Sequence, residues 1–287
     1  MVDRVSSAPT LRHSKHPEAL RVATVNVNGI RAAYRRGMQE WLADRDVDIL
    51  CLQEVRAPDS VVRELLGDSW HILHSEAAAK GRAGVAVASR LAPAETREHI
   101  GDEYFASAGR WVEADFDLGG STLSVVSAYV HSGEAGSPQQ DDKYRFLDLM
   151  KARLTELRST RDHALVVGDL NVGHTNRDIR NWKGNLKKAG FLPEERAYFD
   201  SFLGDAVGWV DVHRDLAGDV DGPYTWWSWR GKAFDNDAGW RIDYHLATPE
   251  LAAAATSAVV DRAHSWEARF SDHAPLVVDY QLLQPQD

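Results

Sequence analysis

The sequence predicts an α/β fold in which two β-sheets pack face to face with helices outside. Three observations carry this. Short β-rich runs recur from end to end, too many for one small sheet; several are apolar on both faces, as doubly covered strands must be; and stretches with helical spacing lie between them. With 287 residues and 44% hydrophobic content the chain can bury one large core, and no Pro/Ser/Gly-rich linker divides it. One domain over residues 21–287 is expected. Residues 1–20, with Ser6, Ser7, Pro9, Ser14, Pro17 and few apolar groups, read as a flexible leader without the apolar stretch of a signal peptide.

In chain order, residues 21–27 form the first strand, residues 33–45 carry helical spacing, and residues 47–52 form a second strand, apolar apart from Asp48. Shorter β-runs follow at 70–73 and 84–88, then longer ones at 110–116 and 123–130. Residues 139–158 form the clearest helix, since Phe146, Leu147, Met150, Leu154 and Leu157 share one face. A strand at 164–168, a helix at 193–202, strands at 208–212 and 241–247, a short helical stretch at 252–255, and strands at 258–260 and 275–280 complete the chain. No repeat at fixed period is present.

The formal net charge of −10 argues against a protein that coats nucleic acid through its overall charge, though not against a locally basic site. Two basic sets stand beside polar clusters: Arg177, Arg180, Lys183, Lys187 and Lys188, then Arg230, Lys232 and Arg241. The single cysteine, Cys51, lies inside an apolar run, so no intramolecular disulfide forms, which points to a reducing, cytoplasmic compartment. No run is long enough to span a membrane.

Chemistry concentrates where strands end. Gly168-Asp169-Leu170-Asn171 puts a carboxylate and a carboxamide at the rim of the run 164–167; strand alternation would point Asp169 and Asn171 the same way and Leu170 into the packing. Asn26 and Asn28, Gln53-Glu54, Tyr129, Asp243 and Asp272-His273 repeat the pattern. Together they supply the groups for metal-assisted attack of water on a phosphate ester. A hard cation such as Mg²⁺ takes oxygen ligands, one or two of them carboxylates, so Glu54 is the first ligand, with Asp272, or Asn28 through a water, completing the shell. His273 needs an orienting partner, and Asp243 is the natural one. No Ser or Cys nucleophile and no P-loop stands out, which leaves water as the attacking group, positioned or deprotonated by Asp169. Asn171, His273 and the Tyr129 hydroxyl would stabilise charge on the phosphoryl oxygens.

Five motifs in this order resemble the exonuclease III class of apurinic/apyrimidinic endonucleases: Leu52-Gln53-Glu54; Gly168-Asp169-Leu170-Asn171-Val172; the basic loop from Gly184 to Phe191; Gly239-Trp240-Arg241-Ile242-Asp243-Tyr244; and Ser271-Asp272-His273-Ala274-Pro275. The resemblance runs from about Arg21 to the C-terminus. It implies a four-layer α/β sandwich, two packed mixed sheets flanked by helices, that incises double-stranded DNA 5′ to abasic sites, with 3′-5′ exonuclease and 3′-phosphatase activity. It further implies Mg²⁺ on Glu54, with Mn²⁺ as a substitute, a monomer without membrane attachment, and DNA with abasic or 3′-blocked sites as partner. By the same resemblance Asn26, Tyr129 and Asn185 organise the water or hold the phosphate, and Trp226, Trp240 and Ile242 line an apolar pocket for the flipped-out sugar; Arg180 and Lys187, from the first basic set, are expected to bind the substrate beside them. The sequence departs from the family pattern at Val25, at Val130-His131-Ser132 and at Lys188, and Ala135 offers no long side chain to insert into a duplex. The balance between abasic incision and exonuclease work stays open on these grounds. Two rivals remain beside this reading: a nonspecific deoxyribonuclease or phospholipid phosphodiesterase with the same core, and a non-catalytic DNA-binding module.

Overall fold

The computed structural model describes residues 19–282. The expected leader thus lies outside the described residues up to residue 18, and Ala19 and Leu20 are already buried. The first part runs β1 (Leu20–Asn26), α1 (Ile30–Ala33), α2 (Gln39–Arg45), β2 (Ile49–Gln53), α3 (Asp59–Leu66), β3 (His71–Ser75), β4 (Val85–Ser89), β5 (Glu95–Arg97), β6 (Trp111–Asp117) and β7 (Thr122–Tyr129). The second runs α4 (Pro138–Thr160), β8 (His163–Asp169), α5 (Pro193–Leu203), β9 (Val210–Asp211), α6 (Val212–Ala217), β10 (Asp243–Ala247), α7 (Pro249–Ala253), β11 (Ala255–Val260) and β12 (Leu276–Tyr280). Among the described residues no helix is long and apolar enough to cross a membrane.

The strands form two 6-stranded sheets, ordered β11-β12-β1-β2-β4-β3 and β5-β6-β7-β8-β10-β9. Both follow one plan. A parallel pair, β1 with β2 or β7 with β8, sits at the centre, and antiparallel strands extend the sheet on either side. Between the sheets pack Val22, Ile49, Cys51 and Val278 from one and Val112, Val125, Leu165 and Val167 from the other. The outer face of the first sheet is covered through Ile30, Val62 and Leu66; that of the second is covered by the predicted face of α4, all five residues buried, with Phe199 and Phe202 of α5. This is the expected four-layer sandwich.

Differences from the sequence reading are local and have local causes. The predicted helix at 33–45 is interrupted at Gly37, whose φ of +108° is not helical. Residue 212 begins a helix instead of ending a strand, because the Asp211 side chain accepts from the Arg214 amide and caps it. The helical stretch expected at 252–255 straddles the end of α7 and the start of β11. Strand β5 carries no apolar signal, since all three of its residues are exposed at a sheet edge.

The C-terminal ends of both parallel pairs open on the same side, which puts Asn26, Gln53, Tyr129 and Asp169 at one rim. Gln53 is buried between the sheets, where its amide donates to Thr24 Oγ1 and Ser127 Oγ, each at 3.0 Å. Gly168 is required here: a Cβ at this residue would collide with Ala128 O and lie 3.1 Å from Gln53 Nε2, and its φ is +138°. Gly168→Ala should therefore destabilise the protein by at least ~2 kcal/mol in urea unfolding; a midpoint equal to that of the wild type would show that the two central strands can separate to admit the methyl group.

Candidate active site

Each strand end delivers one polar side chain to a cleft of about 440 Å³ bordered by Glu54, Tyr129, Asp169, Asn171, Asp272 and His273. Asn26 closes β1 and is fully buried; its Nδ2 donates to both Glu54 Oε1 and Asp169 Oδ2, each at 2.9 Å. Tyr129 donates its hydroxyl to the same Glu54 oxygen at 2.8 Å, and Arg56 pairs with Glu54 Oε2. Asp243 opens β10 directly opposite Asp169 in the ladder. His273 stands just before β12, with Nδ1 2.8 Å from Asp243 Oδ2 and Nε2 3.7 Å from Asp169 Oδ2.

Asn171 reaches the cleft by a different route from the one expected. Strand β8 ends at Asp169, so strand alternation does not aim Asn171; a left-handed residue, φ +50°, turns it back instead. Its amide donates to Asp169 Oδ1 at 3.0 Å and its Nδ2 to Val130 O at 2.9 Å, which leaves one N–H of the carboxamide for a substrate oxygen. Leu170 is buried, as expected. Asn28 and Glu54 are also left-handed, at φ +46° and +49°. Such backbone is costly for residues other than Gly and persists where surrounding contacts over-determine it.

Burial dominates the electrostatics. It pushes the Asp169 carboxyl up to about 7, helped by the charges of Asp243 and Glu54 and opposed by His273 and the Asn26 hydrogen bond. Burial works against the His273 charge, but Asp243 and Asp169 outweigh it and raise the imidazole to about 10, so at neutral pH it is a cation, hydrogen-bonded to Asp243 and facing Asp169 at 3.7 Å. Burial, then Glu54 and Asp169, raise the Tyr129 phenol, which stays a donor. For Asp272 burial is outweighed by His273 and by donors from Asn28 Nδ2 at 2.9 Å and Trp226 Nε1 at 3.1 Å, and its carboxyl is held below the usual range.

The three residues expected to line an apolar slot come together. Trp226, Trp240 and Ile242 border the same cleft; the two indoles meet edge to face at 6.1 Å, half-buried rather than packed away in the core. The basic loop behaves differently. Arg180 and Lys187 are exposed and Asn185 donates its Nδ2 to Asn181 O, while the loop residues that border the cleft are Ala189 and Gly190. Arg241 is not a surface cation at all: it is buried between Asp178 and Asp211, each at 2.6 Å, and Arg177 is paired with Asp219.

Three cations at the site were not legible in the motifs. Arg56 follows Glu54 by two residues, Arg110 lies over the Tyr129 ring at 4.7 Å, and Lys143 reaches up from α4. Arg56 also lines an adjoining groove of about 390 Å³ with Arg31, Lys80 and Arg82, a local basic strip on an acidic protein.

Two sets of atoms could hold a metal ion. The ligand atoms of Asp169, Asp243 and His273 lie within 4.8 Å of one another. In that trio His273 Nδ1 is held by Asp243 and Nε2 faces Asp169 at 3.7 Å, an arrangement that suits proton handling. Glu54, with Asp272 in the same cleft, offers the oxygen donors a hard cation prefers; Glu54 Oε2 is paired with Arg56.

A model of the Endonuclease/Exonuclease/phosphatase family matches residues 23–273. The chain is 32% identical over 258 residues to an exodeoxyribonuclease of Bacillus subtilis, covering 90% of this chain and 98% of that one. An AP endonuclease structure from Archaeoglobus fulgidus superposes with a TM-score of 0.77 at 28% identity, covering 92% of this chain and 100% of that one. The structure of a Neisseria 3′ phosphatase bound to product DNA hairpin does so with 0.78 at 26% identity, covering 91% and 99%.

The charge arrangement has a direct spectroscopic consequence. In ¹⁵N NMR the His273 ring should titrate near 10, and Asp243→Asn should move that titration down by about 1 to 3 pH units. A ring that titrates near 6.5 in the wild type would remove the Asp243–His273–Asp169 chain from the description.

Proposed function

This chain belongs to the endonuclease/exonuclease/phosphatase family, and we propose on that premise that it is a DNA repair nuclease that incises duplex DNA 5′ to abasic sites, with 3′-5′ exonuclease and 3′-phosphatase action at the same centre. The observation that carries this reading is the pairing, in one cleft, of a buried carboxylate of raised pKa with an apolar slot. Asp169, near 7, is basic enough to take a proton from water at neutral pH. Trp226, Trp240 and Ile242 offer a space that an abasic sugar fits and a nucleotide with its base overfills.

The residues divide the work. Asp169 orients the attacking water and takes its proton, held in place by Asn26 and by the Asn171 amide. His273, charged and oriented by Asp243, donates to a phosphoryl oxygen as negative charge grows there, with the Asn171 carboxamide and Tyr129 hydroxyl beside it. The displaced 3′ oxygen leaves with a proton from solvent. Mg²⁺, or Mn²⁺ in its place, held by Glu54 with Asp272 or Asn28 through a water, would neutralise charge on the phosphate. The strip of Arg31, Arg56, Lys80 and Arg82, together with the exposed Arg180 and Lys187 and with Asn185, suits the DNA backbone. A reducing, cytoplasmic compartment accords with the single buried Cys51.

The decisive assay is nicking of a duplex with one tetrahydrofuran abasic analogue in Mg²⁺. Cleavage should stop in EDTA, and Asp169→Asn or His273→Ala should lower turnover by about 100-fold or more with DNA binding largely kept. Equal cleavage of undamaged duplex would favour a nonspecific nuclease instead. Activity needs Asp169 ionised and His273 charged, so kcat/KM should rise with pH through about 7 and fall above about 10. A profile that rises only near 4 would take Asp169 out of the proton-accepting role.

A further inference from the structure

We propose that Lys143 is a positioning residue for this reaction, clamping together the two turns that flank the phosphate; the proposal rests on the hydrolysis assigned above. Lys143 lies on α4, in none of the motifs, and its side chain is completely buried. An ammonium has three N–H donors. Each finds an acceptor: Asn171 O at 2.8 Å, Ser132 O at 3.2 Å and Glu195 Oε1 at 2.6 Å. Asn171 follows β8 and Ser132 follows β7, and both border the catalytic cleft. One cation therefore holds the two segments in register from beneath.

Its anchor is itself fixed. Glu195, fully buried on α5, also accepts from Gln140 Nε2 and from the Leu192 amide, each at 2.9 Å. The loop after Ser132 is pressed onto the helix, since a Cβ on Gly133 would collide with Gln140 Oε1 and lie 3.1 Å from Lys143 Cδ. At Asn171 the amide and carboxamide are bound to Asp169 and Val130, and the carbonyl is the group Lys143 holds. With all three tied, the left-handed peptide cannot rotate, and the free carboxamide N–H keeps its aim.

A purely structural role would not need a charge here. Buried ion pairs lose much of their attraction to desolvation, and an apolar pair of similar volume often stabilises as well. What the cation adds is its grip on two carbonyls. Removing it should blur the position of Asn171 and of the Ser132 turn without taking away any DNA contact, so the effect belongs in kcat more than in KM.

Lys143→Met leaves Glu195 buried without its cation, so Lys143→Met/Glu195→Leu is made beside it. In both, kcat on the abasic-analogue duplex should fall about 10- to 100-fold with KM changed less than about threefold, and Lys143→Arg should recover part of the loss. In an Asn171→Ala background the double change should cost little more, because residues acting as a unit are not additive. A full additive loss there, or unchanged kcat in the folded variants, overturns the proposal. Hydrogen exchange at the amides of Ser132, Gly133, Asn171 and Val172, read on the same proteins, should be faster without Lys143. If that difference is found in a protein whose wild type cleaves no phosphodiester, the clamp stands and the assigned reaction falls. Unchanged exchange overturns the clamp whatever the activity.

Discussion

The site depends on one buried amide between two carboxylates. Asn26 donates to Glu54 at the end of one sheet and to Asp169 at the end of the other, so this one side chain bridges the two carboxylates across the gap between the sheets. Two carboxylates in a water-poor place repel each other, and each pays desolvation as well. A lysine between them would cancel the charge, and an apolar residue would leave it unanswered. A neutral donor shared by both lets them approach while keeping the negative charge that a metal and a water proton require.

From that constraint the remaining proton affinities follow. Asp169 is raised because it is buried beside Asp243 and Glu54, and His273 is raised because it sits between Asp243 and Asp169. Tyr129 is kept neutral by burial next to Glu54. Groups pushed apart in this way can take different roles at one pH, with a carboxylate as acceptor and an imidazolium and a phenol as donors. The outlier is His131, which follows Tyr129 by two residues but is packed against Phe105 and Phe146 and lowered by burial to about 3. Nearness in the chain to Tyr129 gives it no part in the chemistry.

Beneath the polar layer the molecule is built to hold these groups still. Gln53 ties the sheets together through Thr24 and Ser127, Gly168 allows β7 and β8 their close approach, and Lys143 holds the turns on the far side. Left-handed backbone at Asn28, Glu54 and Asn171 lies immediately above this support. Strain of that kind survives only where packing leaves the chain no alternative. The support and the site are therefore one structure.

By itself the sequence determined the layers and most of the polar groups at the rim. Hydrophobic period is a property of covalent neighbours, so the apolar face of α4, the doubly buried strands and the polar residues at their ends are legible without coordinates. It could also mark Glu54, Asp169, Asn171, Asp243 and His273, because rigid strand ends are where such groups become useful. The tertiary structure alone decided what each group touches. Asn26 meets Asp169 from 143 positions away, Arg241 turns out to serve a buried ion network, Asn171 is aimed by a left-handed turn, and Lys143 arrives from the interior face of a helix whose pattern gave no sign of it. Charges act through space and through the water excluded around them, and neither distance nor burial is written in the order of residues.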